Sequence, residues 1–326
     1  MTRTQIETSN RSHPGERSTA GRGAMLTSRL SGVLLAGLLA LGLAPELAAQ
    51  QTTQAEKDLR AEFKSAMRKK EPGIRASAVA AYSEGTRGLE DGGTSRLVAK
   101  TLAEALMDED MSVAQSAVSA LSWGRDPTTV VESYKKGLNE WRKLLGKTAT
   151  RPDPESRALY RGALVAFEGA VDGLANYRDD RSVKVIEDEL TKLRPGGVLE
   201  NISGNLLGPM VTALTKLGSQ GAVKAAVDTA AKFPAATFGG TSDREKSRLG
   251  FSRSIHDALS AFAVELETPP PAFDKNYEQS WSDWFKEHKK RLPKKLGKLE
   301  TPPGPPENDM GAAARARANL GKPQRP

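Results

Sequence analysis

The sequence predicts an all-α fold built as a stack of about five helix pairs. A nine-residue helical stripe recurs five times, and its copies begin 39, 53, 40 and 45 residues apart. Strand signals are weak, with aromatic residues at 5% and no alternating runs of β-branched residues. Self-similarity at such a period is the mark of supersecondary units that bury their apolar faces only against one another.

The stripe reads apolar, then usually small, then small and large apolar at offsets 0, 4, 7 and 8. It comprises Ile74, Ala78, Ala81 and Tyr82, then Val113, Ala117, Ala120 and Leu121. It returns at Ala166, Ala170, Gly173 and Leu174, at Leu206, Met210, Ala213 and Leu214, and at Phe251, Ile255, Ala258 and Leu259. These offsets share one helix face. A small residue at offset 7 lets a neighbouring helix approach closely. An elongated α-solenoid of such pairs escapes the domain count that 326 residues would otherwise suggest, because each pair touches only its neighbours.

Four regions are expected. Residues 1–24 form a polar, Arg-rich extension, either an over-long leader or sequence upstream of a start at Met25. Residues 25–49 have the layout of a secretory signal peptide, with Arg29, an apolar run over 30–44, then Pro45 and a small-residue site ending at Ala49. The run has 15 residues, roughly 22 Å as a helix, short of the bilayer's roughly 30 Å core. Cleavage near Ala49 and export to the periplasm or beyond are expected. The array spans 50–292, and a basic, Pro-rich tail over 293–326 is expected to be disordered.

Within the array, residues 50–58 read as a polar lead-in. A helix follows over 58–70, with Leu59, Phe63 and Met67 on one face. Glu71, Pro72 and Gly73 break it, and Pro72 suits a helix start. Helices are expected over 95–107, 111–123 and 128–147, with Asp110 capping the second and Pro127 barring its continuation. Asp126 and Asp179 fall five residues after the stripe leucines, and Val130, Val183 and Val223 fall nine after them. The segments 146–155 and 233–244 read as loop insertions.

The run Asp110, Val113, Ala117, Ala120, Leu121, Gly124, Asp126 and Pro127 resembles the second helix of a HEAT repeat and the turn after it. The resemblance covers roughly 57–290 and implies an armadillo-like architecture. The family's frequent Arg beside the first stripe position is met only by Arg75. Trp281, Trp284, Phe285 and His288 share one face of a last helix, similar to the Trp-rich terminal helix of exported bacterial HEAT proteins. That helix would cap the stack.

The chain lacks cysteine, which removes disulfides and thiolate chemistry. Its net charge of +8 sits at the ends: residues 286–326 carry +7 and 1–24 carry +2, leaving 50–285 at −1. A neutral array lacks the basic footprint of a nucleic-acid binder. His256 and His288 are 32 residues apart with no HExxH pattern, so no metal or cofactor is expected. Asp108, Glu109 and Asp110 read as a capping turn rather than a calcium loop. Ser252, Ser254, His256 and Asp257 crowd one helix, where triad side chains would diverge. Gly239 and Gly240 before a helix read as an ordinary loop.

The candidate contacts are therefore non-catalytic. Lys289, Lys290, Arg291, Lys294, Lys295 and Lys298 are candidates for contact with a membrane surface or anionic envelope polymer. Trp123 and Trp141 read first as packing residues, with partner contact as the alternative. The expected function is a non-enzymatic, exported scaffold that binds a protein partner. The alternatives are a HEAT-type lyase or glycosylase, and an envelope tether acting through the basic segment.

Overall fold

The structure is a computed structural model that describes residues 45–87, 92–123, 125–193, 200–233 and 242–297. The chain divides into two units, 1–52 and 53–326; of the first, residues 45–52 are described and are helical. The N-terminal extension and the apolar run of the signal segment lie outside the described residues.

Eleven α-helices occur among the described residues: α1 (Pro45–Ala66), α2 (Pro72–Gly85), α3 (Gly92–Glu104), α4 (Met111–Leu121), α5 (Pro127–Thr148), α6 (Pro154–Asn176), α7 (Asp180–Leu190), α8 (Glu200–Leu217), α9 (Gln220–Lys232), α10 (Asp243–Glu265) and α11 (Tyr277–His288). They pack largely as sequential pairs in two interleaved files. One file runs α2, α4, α6, α8, α10, each against the next; the other runs α3, α5, α7, α9, α11. All five stripes fall in the first file.

The burial of each stripe reports its place in that file. In α4, α6, α8 and α10 the residues at offsets 0, 4 and 8 are buried, with Leu121, Leu174, Leu214 and Leu259 at 0% exposure. Of the α2 stripe only Tyr82 is buried, while Ile74 is 45% exposed and Ala81 is exposed. The same pattern is thus largely surface in α2, the first helix of the file, and core in the four that follow. At offset 7, a Cβ on Gly173 would lie 2.7 Å from the Tyr134 ring, so the missing side chain is what admits that ring. Tyr134 then donates its hydroxyl to Val118 O at 2.8 Å.

The residue five after three of the four stripe leucines is an N-cap. The Asp126 carboxylate accepts the Thr129 N–H at 2.8 Å, and that of Asp179 accepts the Arg181 N–H at 2.8 Å. In the fourth copy Ser219 takes the position and accepts the Ala222 N–H at 3.2 Å. The valines four residues on, Val130, Val183 and Val223, are all buried in the next helix. Asp110 caps α4 as expected, accepting from Ser112 N–H at 2.9 Å. Between α8 and α9, Gly218 takes φ +67°, the left-handed conformation that ends a helix.

Three expectations about boundaries change. The lead-in over 50–58 is helical, because nothing between Pro45 and Ala66 breaks a helix and polarity alone does not. The 146–155 insertion is half helix: α5 runs through Thr148 and α6 starts at Pro154, leaving a turn over 149–153. The added sequence lengthens that pair to 22 and 23 residues, against 13 and 11 for α3 and α4. Residues 293–297 do not leave the fold. Leu292 and Leu296 are buried, the Gln220 N–H donates to Pro293 O at 2.9 Å, and the Leu296 N–H donates to Asp180 Oδ1 at 3.2 Å. Of the 233–244 insertion, residues 234–241 lie outside the described residues.

Polar ties join successive pairs. Arg75, 5% exposed, grips Asp108 through two bonds of 2.8 and 2.7 Å and also donates to the carbonyls of Lys69 and Lys70. Arg125 donates to Ser83 O at 2.9 Å, and burial lowers its pKa to about 10. Gln115 donates to Gly162 O at 3.0 Å. Arg142 reaches Glu189 at 2.9 Å, where Lys192 also binds at 2.5 Å. Lys216 pairs with Asp172.

Candidate functional site

The repeat produces a shared exposed position as well as a shared core. Two residues before each stripe's last member stand Ala80, Ser119, Asp172, Thr212 and Asp257, and all five are exposed. They occupy one register on helices that pack in succession. Their chemistry is mixed, with two acids, two hydroxyls and one alanine, so this row has no single charge sign.

The opposite file ends in the aromatic helix α11. Trp281 is fully buried and Trp284 nearly so, while Phe285 and His288 are half-buried. The Trp281 indole N–H donates to His256 Nδ1 at 3.1 Å, and that of Trp284 donates to Thr268 Oγ1 at 3.2 Å. His288 stacks on Trp284 with ring centroids 4.9 Å apart and Nδ1 2.9 Å from Trp284 O. The Tyr277 hydroxyl donates to Phe233 O at 2.5 Å, and burial first of all pushes its pKa up to about 12. Each polar tip that enters this cluster has a partner, so the ring surfaces can be buried without orphaning an N–H or O–H.

The basic segment follows directly. Lys289, Lys290 and Arg291 form a single 3-10 turn, and they are exposed together with Lys294 and Lys295. None of these five side chains has an ion-pair partner among the described residues. Lys298 lies outside the described residues. Beside this segment is a pocket of about 500 Å³ lined by Pro127, Thr128, residues 177–181, Leu296 and Gly297. Its two acids, Asp179 and Asp180, balance Arg178 and Arg181. Asp179 is already taken by the α7 cap and by Arg181, and the Arg181 hydrogen bond holds its carboxyl below the usual range.

The two candidate tryptophans are placed differently. Trp141 is 3% exposed within α5. Trp123 is half-buried in the bend after α4. The residues of the apparent triad are committed elsewhere. Ser252 is fully buried and donates to Phe233 O at 3.0 Å and Arg248 O at 3.1 Å. Ser254 donates to Gly250 O. His256 meets Trp281 on one ring nitrogen and Ser260 Oγ, at 3.2 Å, on the other. Asp108 and Asp110 serve the Arg75 clamp and the α4 cap.

Among the described residues, no group of three or more His, Cys, Asp or Glu side chains converges as a metal site. No described helix is long and apolar enough to cross a membrane. The chain matches no protein-family model and no curated protein.

Proposed function

We propose that this chain is an exported α-solenoid of HEAT-like helix pairs that acts as a non-enzymatic scaffold for a protein partner. The observation that carries the reading is the repeated exposed register: Ala80, Ser119, Asp172, Thr212 and Asp257 stand at one position of successively packed helices. A periodic row suits a long, segmented contact rather than a single reacting centre. Its mixed polarity suits a protein surface better than a polyanion. The commitment of Ser252, His256 and Asp110 to packing and caps removes the most obvious candidates for chemistry. An export signal over 25–49 would put that partner in the envelope or outside the cell.

Photo-crosslinking residues at Ser119, Asp172 and Thr212, set separately in the mature chain, test this in an envelope extract. One adduct of the same mass from at least two of the three, and none from a control at Lys224 in the other file, is expected. Adducts that differ at every position, or no adduct at all, would refute the scaffold reading.

A second reading rests on the five unpaired cations of residues 289–295. They would tether the protein to an anionic surface, each contributing about 1 kcal/mol or less and weakening as salt rises. Replacing all five with Gln should abolish salt-sensitive sedimentation with phosphatidylglycerol vesicles. Unchanged sedimentation removes the tether.

A further inference from the structure

The turn over 149–153, which joins α5 to α6, borders a surface pocket of about 310 Å³ whose lining includes Arg151, Arg157, Arg161, Tyr160 and Thr150. Its lining contains three guanidinium groups and no carboxylate. Arg157 and Arg161 stand one turn apart on α6, where like charges repel. None of the three has an ion-pair partner among the described residues. Several arginines elsewhere are matched with acids, among them Arg75 with Asp108, Arg142 with Glu189 and Arg181 with Asp179. Of the two acids nearest in sequence, Asp153 accepts the Ser156 N–H at 2.7 Å as the α6 cap and Glu155 stands exposed in the first turn of α6; neither lines the pocket.

Tyr160 supplies an independent pointer. Its half-buried phenol oxygen accepts a hydrogen bond from Asn205 Nδ2 at 3.1 Å, across from α6 to α8. That bond orients the hydroxyl and uses one of its lone pairs. The phenolic proton remains free to donate.

We propose that this pocket binds a dianionic oxyanion, a phosphate group carried on a small molecule. Planar guanidinium forks match phosphate oxygens through paired N–H bonds. The Tyr160 hydroxyl adds a neutral donor. The volume lies at the lower end of the roughly 300–1,000 Å³ of small-molecule sites, enough for a phosphate and a short organic stem. A ligand phosphate also relieves the repulsion among Arg151, Arg157 and Arg161. This site is separate from the scaffold row, and its failure would leave that reading untouched.

Calorimetric titration of the full chain with inorganic phosphate, glycerol phosphate and acetate tests the proposal. Both phosphates should bind saturably and acetate far more weakly. Arg157→Gln with Arg161→Gln should weaken phosphate by about tenfold or more, the loss expected of charged hydrogen bonds. Tyr160→Phe should weaken it by a smaller factor, and Lys184→Gln should leave it unchanged. The substituted arginines are exposed, so the melting temperature of the double variant should stay at the parent value. Absence of saturable phosphate binding, equal affinity for acetate, or full affinity in the double arginine variant would overturn the assignment.

Discussion

Trp281 donates its indole N–H to Nδ1 of His256, and that bond decides which tautomer the ring holds. Nδ1 must be unprotonated, so the neutral ring carries its proton on Nε2, facing Ser260. Protonation would set two donors against each other inside the aromatic cluster. Burial lowers the His256 pKa from 6.5; Arg253 adds to this and Asp257 opposes it. The unfolded chain therefore takes up the proton first. Stability is complete above about pH 6.5 and falls as the pH drops below it. His256→Asn presents an amide oxygen near the Nδ1 position and cannot charge. Its melting temperature should fall less than the parent's between about pH 7 and about pH 5, and an identical fall would contradict the assignment. A second residue-scale test concerns Arg178, held at φ 44° where the next unit has Gly218 at φ +67°. The left-handed penalty of about 1–2 kcal/mol outweighs glycine's extra unfolded entropy of about 0.4–1. Arg178→Gly should therefore stabilise the chain by roughly 0.5 kcal/mol in denaturant melts.

At the scale of the element, helix starts are set by caps that recur with the repeat. Asp126, Asp179 and Ser219 hold equivalent positions, and each accepts a first-turn backbone N–H, two residues on for Asp179 and three for the other two. Asp126→Ala and Ser219→Ala should each cost about 1 kcal/mol, read from urea midpoints at constant slope. Losses near zero at both would show that the caps are incidental. Two of these positions were legible in the sequence, because Asp recurs at a fixed distance from the stripe leucine, though their capping role was not. Ser219 escaped notice because it performs the same task with a different residue. Helix lengths were less legible. Gly146 reads as punctuation but sits in the last turn of α5, where packing tolerates it. The stretch over 50–58 reads as a lead-in because its buried residue is polar: Glu56 is 2% exposed and leaves no apolar period. The docking of Leu292 and Leu296 was hidden by the basic and Pro-rich composition around them. Two buried leucines and a few backbone hydrogen bonds suffice to hold that segment.

For the molecule as a whole, the stripe was the strongest signal, and its helices do pack in chain order. The interior of the stack was legible because small residues and leucines repeat there. Contacts made by side chains from distant segments, such as Asn205 with Tyr160, were not; the three arginines near Tyr160 are close in sequence but carry no periodic signal, since Arg151 lies in a turn and Arg157 and Arg161 follow no stripe. Function was legible only as a class of architecture, since spacing specifies which faces are buried and leaves the exposed row free to vary. The neighbour-to-neighbour file makes a distance prediction that a closed bundle does not. The chain lacks cysteine, so spin labels can be placed without removing any native thiol. Labels at Ser119, Asp172, Thr212 and Asp257 sit on α4, α6, α8 and α10 at one register. Pulsed electron resonance from Ser119 should give distances that lengthen at each step, by about 8–10 Å for each helix passed in a straight file. A distance from Ser119 to Asp257 as short as that from Ser119 to Asp172 would contradict the sequential file.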